Sequence, residues 1–465
     1  HFFGNYSLPL VNGMLSLLFI ALSACMVVKA FKLKGCLASA ITGGLLAVFP
    51  SVTVNFFFMY TSLYYSFALM LACMSAALIS EKISPLRLVF AVLLLSLSTG
   101  IYQSYFSVGA CMVLGVLIIM CQEMINGRAG DRDIIFVIKR AFLYLLYLVI
   151  SLLSYLLINK LSIKIFNVVL PDYQGMASMG KIDPVYIIQR GVRSYLHLIH
   201  LTCENVYNIN PTSLIKLCAA LLFLTGGICV LGNVTKKGPK KILLVYLPLI
   251  FIYPIALFLI FLMVPPETYV QTAMLNSVVF AFILPIAMVE ETELKGSFLD
   301  REWIRDLSGW ITTACGGLII LVYIWYANGN YQVLQYTNYH DIAYYTSMMT
   351  QIKSLDGYDD EMPVIILGSV ISDTTNEAGG LMEDTFNLYG KAPSNVSVYS
   401  ANNIFTKYLG FTPEFLWSDE DQERFAHNKE VLNMGCYPKE DSIRIVDDVV
   451  VVKLQEADDW LDKDK

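Results

Sequence analysis

The stretch GCLASAITGGLLAVFPSVTVNFFFMYTSLYYSFALMLACMSAALIS, residues 35–80, contains no charged side chain over 46 consecutive positions. A helix needs about 20 mostly apolar residues to cross a bilayer, so this stretch is long enough for two crossings. Residues 88–122 are also uncharged, over 35 positions, and fit two crossings better than one. The two stretches together predict a polytopic α-helical membrane protein.

Further apolar runs of spanning length bring the predicted total to about ten transmembrane helices. These runs are residues 10–28, 141–159, 217–235, 242–266, 268–289 and 307–341. The whole chain of 465 residues is only 15% charged, whereas an ordinary globular protein has roughly 25% charged residues. This composition argues against a soluble enzyme.

Charge divides the chain into two parts. Residues 1–326 hold 22 Lys and Arg against 14 Asp and Glu, whereas residues 327–465 hold 10 against 24. We therefore predict a membrane domain over 1–326 and an acidic, extracytoplasmic domain over 327–465. A strand-like run at 362–367 and a β-branched run at 443–452 predict that the second domain is a small α/β domain.

The basic residues of the membrane part accumulate in five alternate loops between the predicted helices. The clusters are Lys29/Lys32/Lys34, Lys82/Arg87, Arg128/Arg132/Lys139/Arg140, Lys236/Lys237/Lys240/Lys241 and Lys295/Arg301/Arg305. Lys and Arg are enriched in cytoplasmic loops, so the pattern predicts a chain that enters from outside and crosses a bacterial cytoplasmic membrane ten times. The C-terminal domain then lies outside.

The predicted outer loop 160–211 contains four regularly spaced basic residues. They are Arg190, Arg193, His197 and His200, at spacings of 3, 4 and 3, which place them on one side of a helix. Apolar residues at the other positions predict an amphipathic helix lying at the outer membrane surface. Guanidinium and imidazolium groups aligned in this way, together with Lys181, suit a phosphate at headgroup level. Contact with ordinary anionic lipid is the alternative interpretation.

A reaction outside the membrane that deprotonates a hydroxyl needs a carboxylate as base. The acidic residues in the predicted outer loops of the membrane part are Asp172, Asp183, Glu204 and Glu267. Each has a plain alternative role as a turn or capping residue, and no two have the spacing of a catalytic pair.

Aromatic and amide side chains cluster at the predicted outer ends of two helical hairpins. Tyr102, Gln103 and Tyr105 lie on one hairpin, and Tyr60 and Tyr64 lie on its neighbour. An amide among aromatic rings suits hydrogen bonding to a sugar, so these residues are candidates to line a carbohydrate pocket. An aromatic belt at the membrane interface explains the tyrosines equally simply.

The sequence lacks the motifs that are typical of nucleotide binding, of metal binding and of serine hydrolases. The sequence contains no glycine-rich phosphate loop, no metal-binding cysteine pattern and no hydrolase nucleophile elbow. We therefore expect no metal, no cofactor and no nucleic-acid partner. The predicted spans also lack charges at mid-membrane depth, which weakens the case for an ion-coupled transporter.

Three segments resemble the bacterial glucosyl transferase family of the Gtr type II kind, which includes serotype-converting enzymes. They are GNYSLP at 4–9, GIYQSY at 100–105, and the ending 435–454 with its Tyr437-Pro438 pair and its VVVVKL run. The resemblance implies a GT-C-type membrane glycosyltransferase that moves a hexose, usually glucose, from undecaprenyl phosphate to a cell-surface glycan such as O-antigen or wall polysaccharide. It implies transfer on the outer face of the cytoplasmic membrane.

The resemblance also implies partners and roles. A separate polyprenyl-phosphate glycosyltransferase and a small flippase would supply the lipid-linked donor, and membrane lipids would surround the enzyme. A cationic cluster would offset the charge of the departing phosphate, a role that fits Arg190 and Arg193. Enzymes of the GT-C type keep an essential acidic residue in their first external loop. This chain begins at what resembles the end of that loop, so we expect the catalytic acid upstream of His1, with Asp172, Asp183 or Glu267 as the fallback.

Two other classes of function remain open from the sequence. The first is a lipid-linked glycan transporter or flippase, which would translocate a glycolipid without covalent sugar transfer. The second is a non-catalytic assembly protein whose outer domain binds wall polymer.

Overall fold

The computed structural model describes residues 8–128, 130, 133–167, 184–236, 240–264, 270–294, 297, 299–368, 386, 388 and 398–457. The chain forms two compact units, His1–Ala327 and Asn328–Lys465. The boundary between the two units, at residues 327 and 328, lies within a single long helix, Glu302–Lys353.

The first unit is helical. Its helices are α1 (Pro9–Ala30), α2 (Cys36–Val48), α3 (Pro50–Phe57), α4 (Met59–Ser80), α5 (Pro85–Ile101), α6 (Tyr105–Ile125), α7 (Ile134–Phe166), α8 (Pro184–His200), α9 (Ser213–Thr235), α10 (Leu243–Leu257), α11 (Ile260–Met263), α12 (Phe280–Glu291) and the first part of α13 (Glu302–Lys353). Short 3₁₀ turns form at Lys240–Ile242, Thr272–Met274 and Asn276–Val279.

Among the described residues, eight helical segments are long and apolar enough to cross a membrane. The uncharged stretch 35–80 supplies two of them, Cys36–Phe57 and Met59–Ser80, as its length predicts. The two remaining predicted spans correspond to α5, with 17 residues, and to α12, with 12 residues after two 3₁₀ turns. The structure therefore establishes a polytopic helical protein, and the number ten stays a prediction.

Two helices are longer than the sequence indicates. The helix predicted from the run 141–159 extends over 33 residues to Phe166, so the first part of the predicted loop 160–211 is helical. The last helix of the first unit, α13, is 52 residues long and continues through the predicted domain boundary at 326. Charged residues at both ends of each run limited the prediction, but an α-helix continues through charges once they lie outside the hydrocarbon.

Helix starts follow local sequence signals. Pro85 occupies the first turn of α5, and the hydroxyl of Ser84 accepts a hydrogen bond from the backbone N–H of Arg87. The carboxylate of Asp133 accepts a hydrogen bond from the backbone N–H of Phe136 at 2.9 Å and so caps α7. These caps satisfy N–H groups that have no partner inside the helix.

The charged loops of the helical unit meet at one end, which we call the basic end. An ion pair between Lys32 and Glu123 joins the α1–α2 loop to the end of α6. The guanidinium of Arg128, after α6, lies 2.9 Å from the carboxylate of Glu291, at the end of α12. The carboxylates of Glu123 and Glu291 are buried, and each is compensated by its cation, as a buried charge requires.

The remaining loops join the same network. The carboxylate of Glu290 accepts hydrogen bonds from the backbone N–H groups of Lys34 and Gly35, at 2.6 and 2.5 Å. The ammonium of Lys236, after α9, donates to the side chain of Asn126 at 2.9 Å. The guanidinium of Arg140, in α7, donates to backbone carbonyls at the end of α4. The loops that carry the five basic clusters therefore share one end of the unit, in agreement with the alternate pattern in the sequence.

Helix α6 forms the centre of this unit. Nearly all of its side chains are buried, as expected for a helix that is apolar on every side. The ring of Phe31 approaches the backbone of α6 at Gly115, where no side chain separates them.

A methyl group at Gly115 would lie 2.6 Å from Cζ of Phe31, which is itself buried. We expect Gly115→Ala to destabilise the detergent-solubilised protein by about 1–3 kcal/mol, because the core must shift to admit the methyl group. Gly227→Ala in α9 is the matched control, since no heavy atom lies within 4 Å of its Cβ position. Thermal unfolding of both variants checks this, and equal melting temperatures would contradict the packing at Gly115.

The second unit combines helices with a three-stranded sheet of order β1-β3-β2. The strands are β1 (Val364–Leu367), β2 (Ile443–Val446) and β3 (Val449–Lys453). The helices besides α13 are α14 (Val398–Asn403), which continues as a π-helical turn over Ile404–Tyr408, α15 (Asp419–Ala426) and α16 (Lys429–Leu432). Strand β1 runs parallel to β3, whereas β2 pairs with β3 in antiparallel fashion. Asp447 and Asp448 both have positive φ, at 53° and 60°, which is the backbone of a two-residue hairpin turn. The β-branched run 443–452 is therefore a hairpin.

Candidate active site

Neutral polar side chains collect inside the helical unit toward the end opposite the basic end. We call the following residues the polar cluster: Ser51, Asn55, Ser104, Tyr105, Ser107, Tyr253 and Asn276. All are buried. The amide of Asn55 donates a hydrogen bond to the hydroxyl of Tyr105 at 3.3 Å. These residues come from elements that pack against each other, because α3 contacts the turn Thr272–Met274, and α6 contacts both α10 and the turn Asn276–Val279.

The polar cluster contains several buried polar atoms that have no hydrogen-bond partner within the described part of the chain. They are the hydroxyl oxygens of Ser51, Ser107 and Tyr253 and the amide oxygens of Asn55 and Asn276. An unsatisfied buried polar atom costs roughly 1–3 kcal/mol, so proteins rarely collect several in one region without a ligand or ordered water. The cluster is therefore suited to a ligand with many hydroxyl groups.

The predicted aromatic group is partly assembled beside this cluster. The ring of Tyr102 lies 4.7 Å from that of Tyr65 and 5.5 Å from that of Tyr105. The amide of Gln103 donates to the hydroxyl of Tyr155 on α7 at 3.3 Å. The rings of Tyr102 and Tyr105 are thus in contact, whereas the amide of Gln103 is directed to Tyr155, and the role of these three residues in sugar binding stays a prediction.

The α4 tyrosines differ from the prediction. Tyr60 and Tyr64 are exposed at 64% and 37%, and the α4 residue that meets Tyr102 is Tyr65. Successive residues of a helix point about 100° apart, so a displacement of one residue moves a side chain to another face. Tyr60 and Tyr64 are therefore not placed in a common pocket with Tyr102.

Helix α8 is the amphipathic helix that the sequence predicts. Its apolar side is exposed, with Ile188, Val192, Leu196 and Ile199 at successive turns. Its opposite side packs on α10 and α11, where the imidazole of His197 contacts the rings of Phe258 and Phe261. The helix thus presents an apolar surface outward and turns Arg190 and His197 toward the protein.

Arg190 and His197 are the two predicted basic residues that face inward. The guanidinium of Arg190 lies over the rings of Tyr186 and Phe261, at 4.8 and 5.9 Å from the ring centres. Its Nε is buried and has no hydrogen-bond partner among the described residues. The imidazole of His197 stacks on Phe261 at 5.0 Å and also contacts Phe258.

The surroundings of His197 correct one expectation. Burial lowers the pKa of His197 below its usual value of 6.5, and the positive charges of His200, Arg190 and Arg193 lower it further. The lowered pKa favours a neutral imidazole at this position, in place of the imidazolium that the sequence-based interpretation assumes.

The other predicted phosphate-binding residues lie elsewhere. Arg193 is exposed, and Nδ1 of His200 lies 3.4 Å from the carboxylate of Glu204, also at the surface. Lys181 lies outside the described residues, as do the candidate carboxylates Asp172, Asp183 and Glu267. Within the described part of the helical unit, Glu204 is the acidic residue at this end, and the other described carboxylates belong to the basic end. No group of three His, Cys, Asp or Glu among the described residues has the geometry to hold a metal.

The loop after α8 connects it to the elements that carry the polar cluster. The side chain of Asn210 accepts a hydrogen bond from the backbone N–H of Val206 at 2.8 Å and donates to the carbonyl of Leu201 at 2.7 Å. The hydroxyl of Thr272 donates to the carbonyl of Tyr207 at 2.8 Å. Because the turn at Thr272 also contacts α3, the inward side of α8 and the polar cluster are carried by adjacent elements.

These features define a polytopic membrane protein with an inward-facing arginine and a buried polar cluster at the end opposite its basic loops. A family model described as Glucosyl transferase GtrII matches residues 1–287, and the chain belongs to this family. The family resemblance seen in the sequence is confirmed, and the protein is a glycosyltransferase. Comparisons with curated proteins and with solved structures gave no match. The matched segment includes α8 and the whole polar cluster.

The lowered pKa of His197 predicts an acid-sensitive contact. The pKa of His197 is lower in the folded protein than in the unfolded chain, so protonation of this residue favours unfolding. Above about pH 6.5 the residue is neutral in both states and this effect is absent, and as the pH falls below that value the folded protein loses stability. We expect His197→Phe, which keeps an aromatic ring on Phe261, to lose less thermal stability than the wild type between pH 7.5 and pH 5.5. Identical losses in the two proteins would contradict the assigned pKa shift.

Proposed function

We propose that the protein transfers a glucosyl residue from a polyprenyl phosphate, undecaprenyl phosphate in a bacterial cytoplasmic membrane, to a surface polysaccharide. The family supports transfer of glucose, and the membrane-spanning helices support a donor carried by a lipid. The reaction would take place at the end opposite the basic loops, which is the outer face if those loops are cytoplasmic.

The inward-facing guanidinium of Arg190 is the observation that carries this proposal. Its cation is half-buried against aromatic rings and forms no ion pair within the described residues. A partly desolvated cation is stabilised by an anion held at hydrogen-bonding distance, and guanidinium binds phosphate with matched geometry. The departing lipid phosphate is that anion. The exposed apolar side of α8 would hold this helix at the depth where lipid phosphates lie.

The proposed reaction is a single displacement. An acceptor hydroxyl oxygen attacks the anomeric carbon, the bond from that carbon to the phosphate oxygen breaks, and its electron pair leaves with the polyprenyl phosphate. The hydroxyl proton passes to a carboxylate, for which Asp172, Asp183 and Glu267 remain the candidates in this sequence. Arg190 offsets the charge that develops on the phosphate. The unpartnered atoms of the polar cluster would bind the hydroxyl groups of the donor sugar.

The shared position of the basic loops also supports ten crossings. Successive loops meet at one end when the chain crosses an even number of times between them. Two crossings between each successive pair of the five loops, with one before the first loop and one after the last, would give ten. This topology would place the second unit outside, where it would contact the acceptor glycan. A polyprenyl-phosphate glycosyltransferase and a small flippase would supply the donor.

The decisive experiment is a transfer assay with the purified full-length protein, radiolabelled undecaprenyl-phosphate glucose and cell-envelope glycan of the source organism. Label incorporated into polymer would support the proposal. Failure with this donor and with other polyprenyl-phosphate sugars, combined with translocation of a lipid-linked glycan in vesicles, would replace the enzyme by a transporter.

Arg190 and Arg193 provide a matched pair of variants, because they lie about one turn apart on α8 and only Arg190 faces inward. We expect Arg190→Gln to reduce kcat by about 100- to 1000-fold, the usual effect of removing one transition-state donor. Arg193→Gln, at an exposed position, should reduce kcat/KM by about tenfold or less. Equal effects of the two substitutions in the transfer assay would contradict the assigned role of Arg190.

Asn55 tests the polar cluster. We expect Asn55→Ala to lower kcat/KM for the donor by about 5- to 100-fold, because a buried hydrogen-bonding group contributes roughly 1–3 kcal/mol. Asn205→Ala, at an exposed position in the loop after α8, is the control and should retain full activity. The melting temperature of both variants is measured alongside, and full activity of a folded Asn55→Ala variant would exclude the cluster from sugar binding.

A further inference from the structure

A cleft of about 790 Å³ opens at the basic end, between the last turns of α1 and the beginning of α2. It lies at the opposite end of the helical unit from the polar cluster and α8, so it has no part in the proposed glucosyl transfer.

The cleft has an excess of positive charge. Lys29, Lys32, Lys34 and Glu81 are the charged residues that line it. Lys32 is neutralised by Glu123, a buried residue of α6 outside the cleft. Lys29 and Lys34 are exposed and form no ion pair within the described part of the chain. Two lysines thus face a single carboxylate, and an anion is the ligand that this imbalance favours.

The remaining walls of the cleft are apolar and extend below the level of the lysines. Cys25 precedes Lys29 by four residues, so the two side chains share one face of α1 and are separated by about 6 Å along the helix axis. Cys36 lines the opposite wall, at the start of α2. Since α1 spans the membrane, a charge held by the lysines lies at headgroup depth, and Cys25 lies nearer to the hydrocarbon.

We propose that this cleft binds the phosphate of a membrane lipid between Lys29 and Lys34, with the first part of the lipid chain passing over Cys25. A charged upper rim and an apolar floor match a ligand that joins a phosphate to hydrocarbon. A phospholipid such as phosphatidylglycerol and a polyprenyl phosphate share this chemistry, and the experiment below separates them.

Native cysteines report occupancy of the cleft. Cys25 and Cys36 are exposed on its walls, and Cys203, exposed after α8 at the other end, serves as the internal control. The alkylation rates of all three thiols are measured by mass spectrometry on the full chain in neutral detergent. Phosphatidylglycerol, undecaprenyl phosphate, phosphatidylcholine and inorganic phosphate are added in separate arms.

We expect phosphatidylglycerol, undecaprenyl phosphate or both to slow alkylation of Cys25 and Cys36 at least fivefold and to leave Cys203 unchanged. The arm that protects identifies the source of the phosphate. Lys29→Gln with Lys34→Gln should weaken half-maximal protection by about fivefold per lysine, as expected for charges at a membrane surface. Lys240→Gln with Lys241→Gln removes the same charge from another loop of the basic end and should retain protection.

Each of the following results would overturn the proposal. The first is equal protection by phosphatidylcholine, which would show that a net negative headgroup is not required. The second is full protection by inorganic phosphate, which would exclude a role for the lipid chain. The third is unchanged protection in the Lys29→Gln, Lys34→Gln variant, with its folding verified by its melting temperature, or an absence of protection by either anionic lipid in the wild type.

Discussion

The cost of burying charge in a bilayer is the constraint on which the rest of the helical unit depends. An unpaired charge cannot lie in hydrocarbon, so the charged loops gather at one end and compensate each other there. Lys32 with Glu123 and Arg128 with Glu291 join loops that are far apart in sequence. These contacts tie α1, α6 and α12 together, and α6 becomes the buried centre around which the other helices pack.

The same constraint shapes the candidate active site. Among the described residues, the buried interior at the opposite end is lined by neutral groups, whereas charges such as that of Glu204 lie at the surface. The polar cluster therefore contributes hydroxyls and amides, and Arg190 brings the inward-facing cation. Neutral donors and acceptors can be buried in advance of ligand binding at moderate cost, whereas a set of buried charges could not. In such surroundings a single guanidinium acts on a phosphate more strongly than it would in water. A site of this kind suits a reaction whose main change of charge occurs on a departing phosphate.

The sequence predicted the features that depend on local periodicity, and it missed those that depend on side-chain direction. Spacings of 3, 4 and 3 correctly predicted the helix α8, but only its packing showed that Arg190 and His197 face inward while Arg193 remains exposed. Tyr65 rather than Tyr64 meets Tyr102 for the same reason. Asn55 and Asn276 carried a usable signal, because a polar amide inside an apolar span is costly unless it has a role.

The sequence by itself determined the class of the protein, since the lengths of uncharged runs and the alternation of basic loops follow from the thickness and low polarity of the bilayer. It also determined the family, and that α8 is amphipathic. Only the tertiary structure decided which residues form the candidate site, because Asn55 and Tyr105 lie 50 positions apart in sequence and meet through helix packing, which also brings the turn that carries Asn276 against α6. It also decided the charge of His197, because a pKa depends on burial and neighbouring charges that no local pattern of residues specifies.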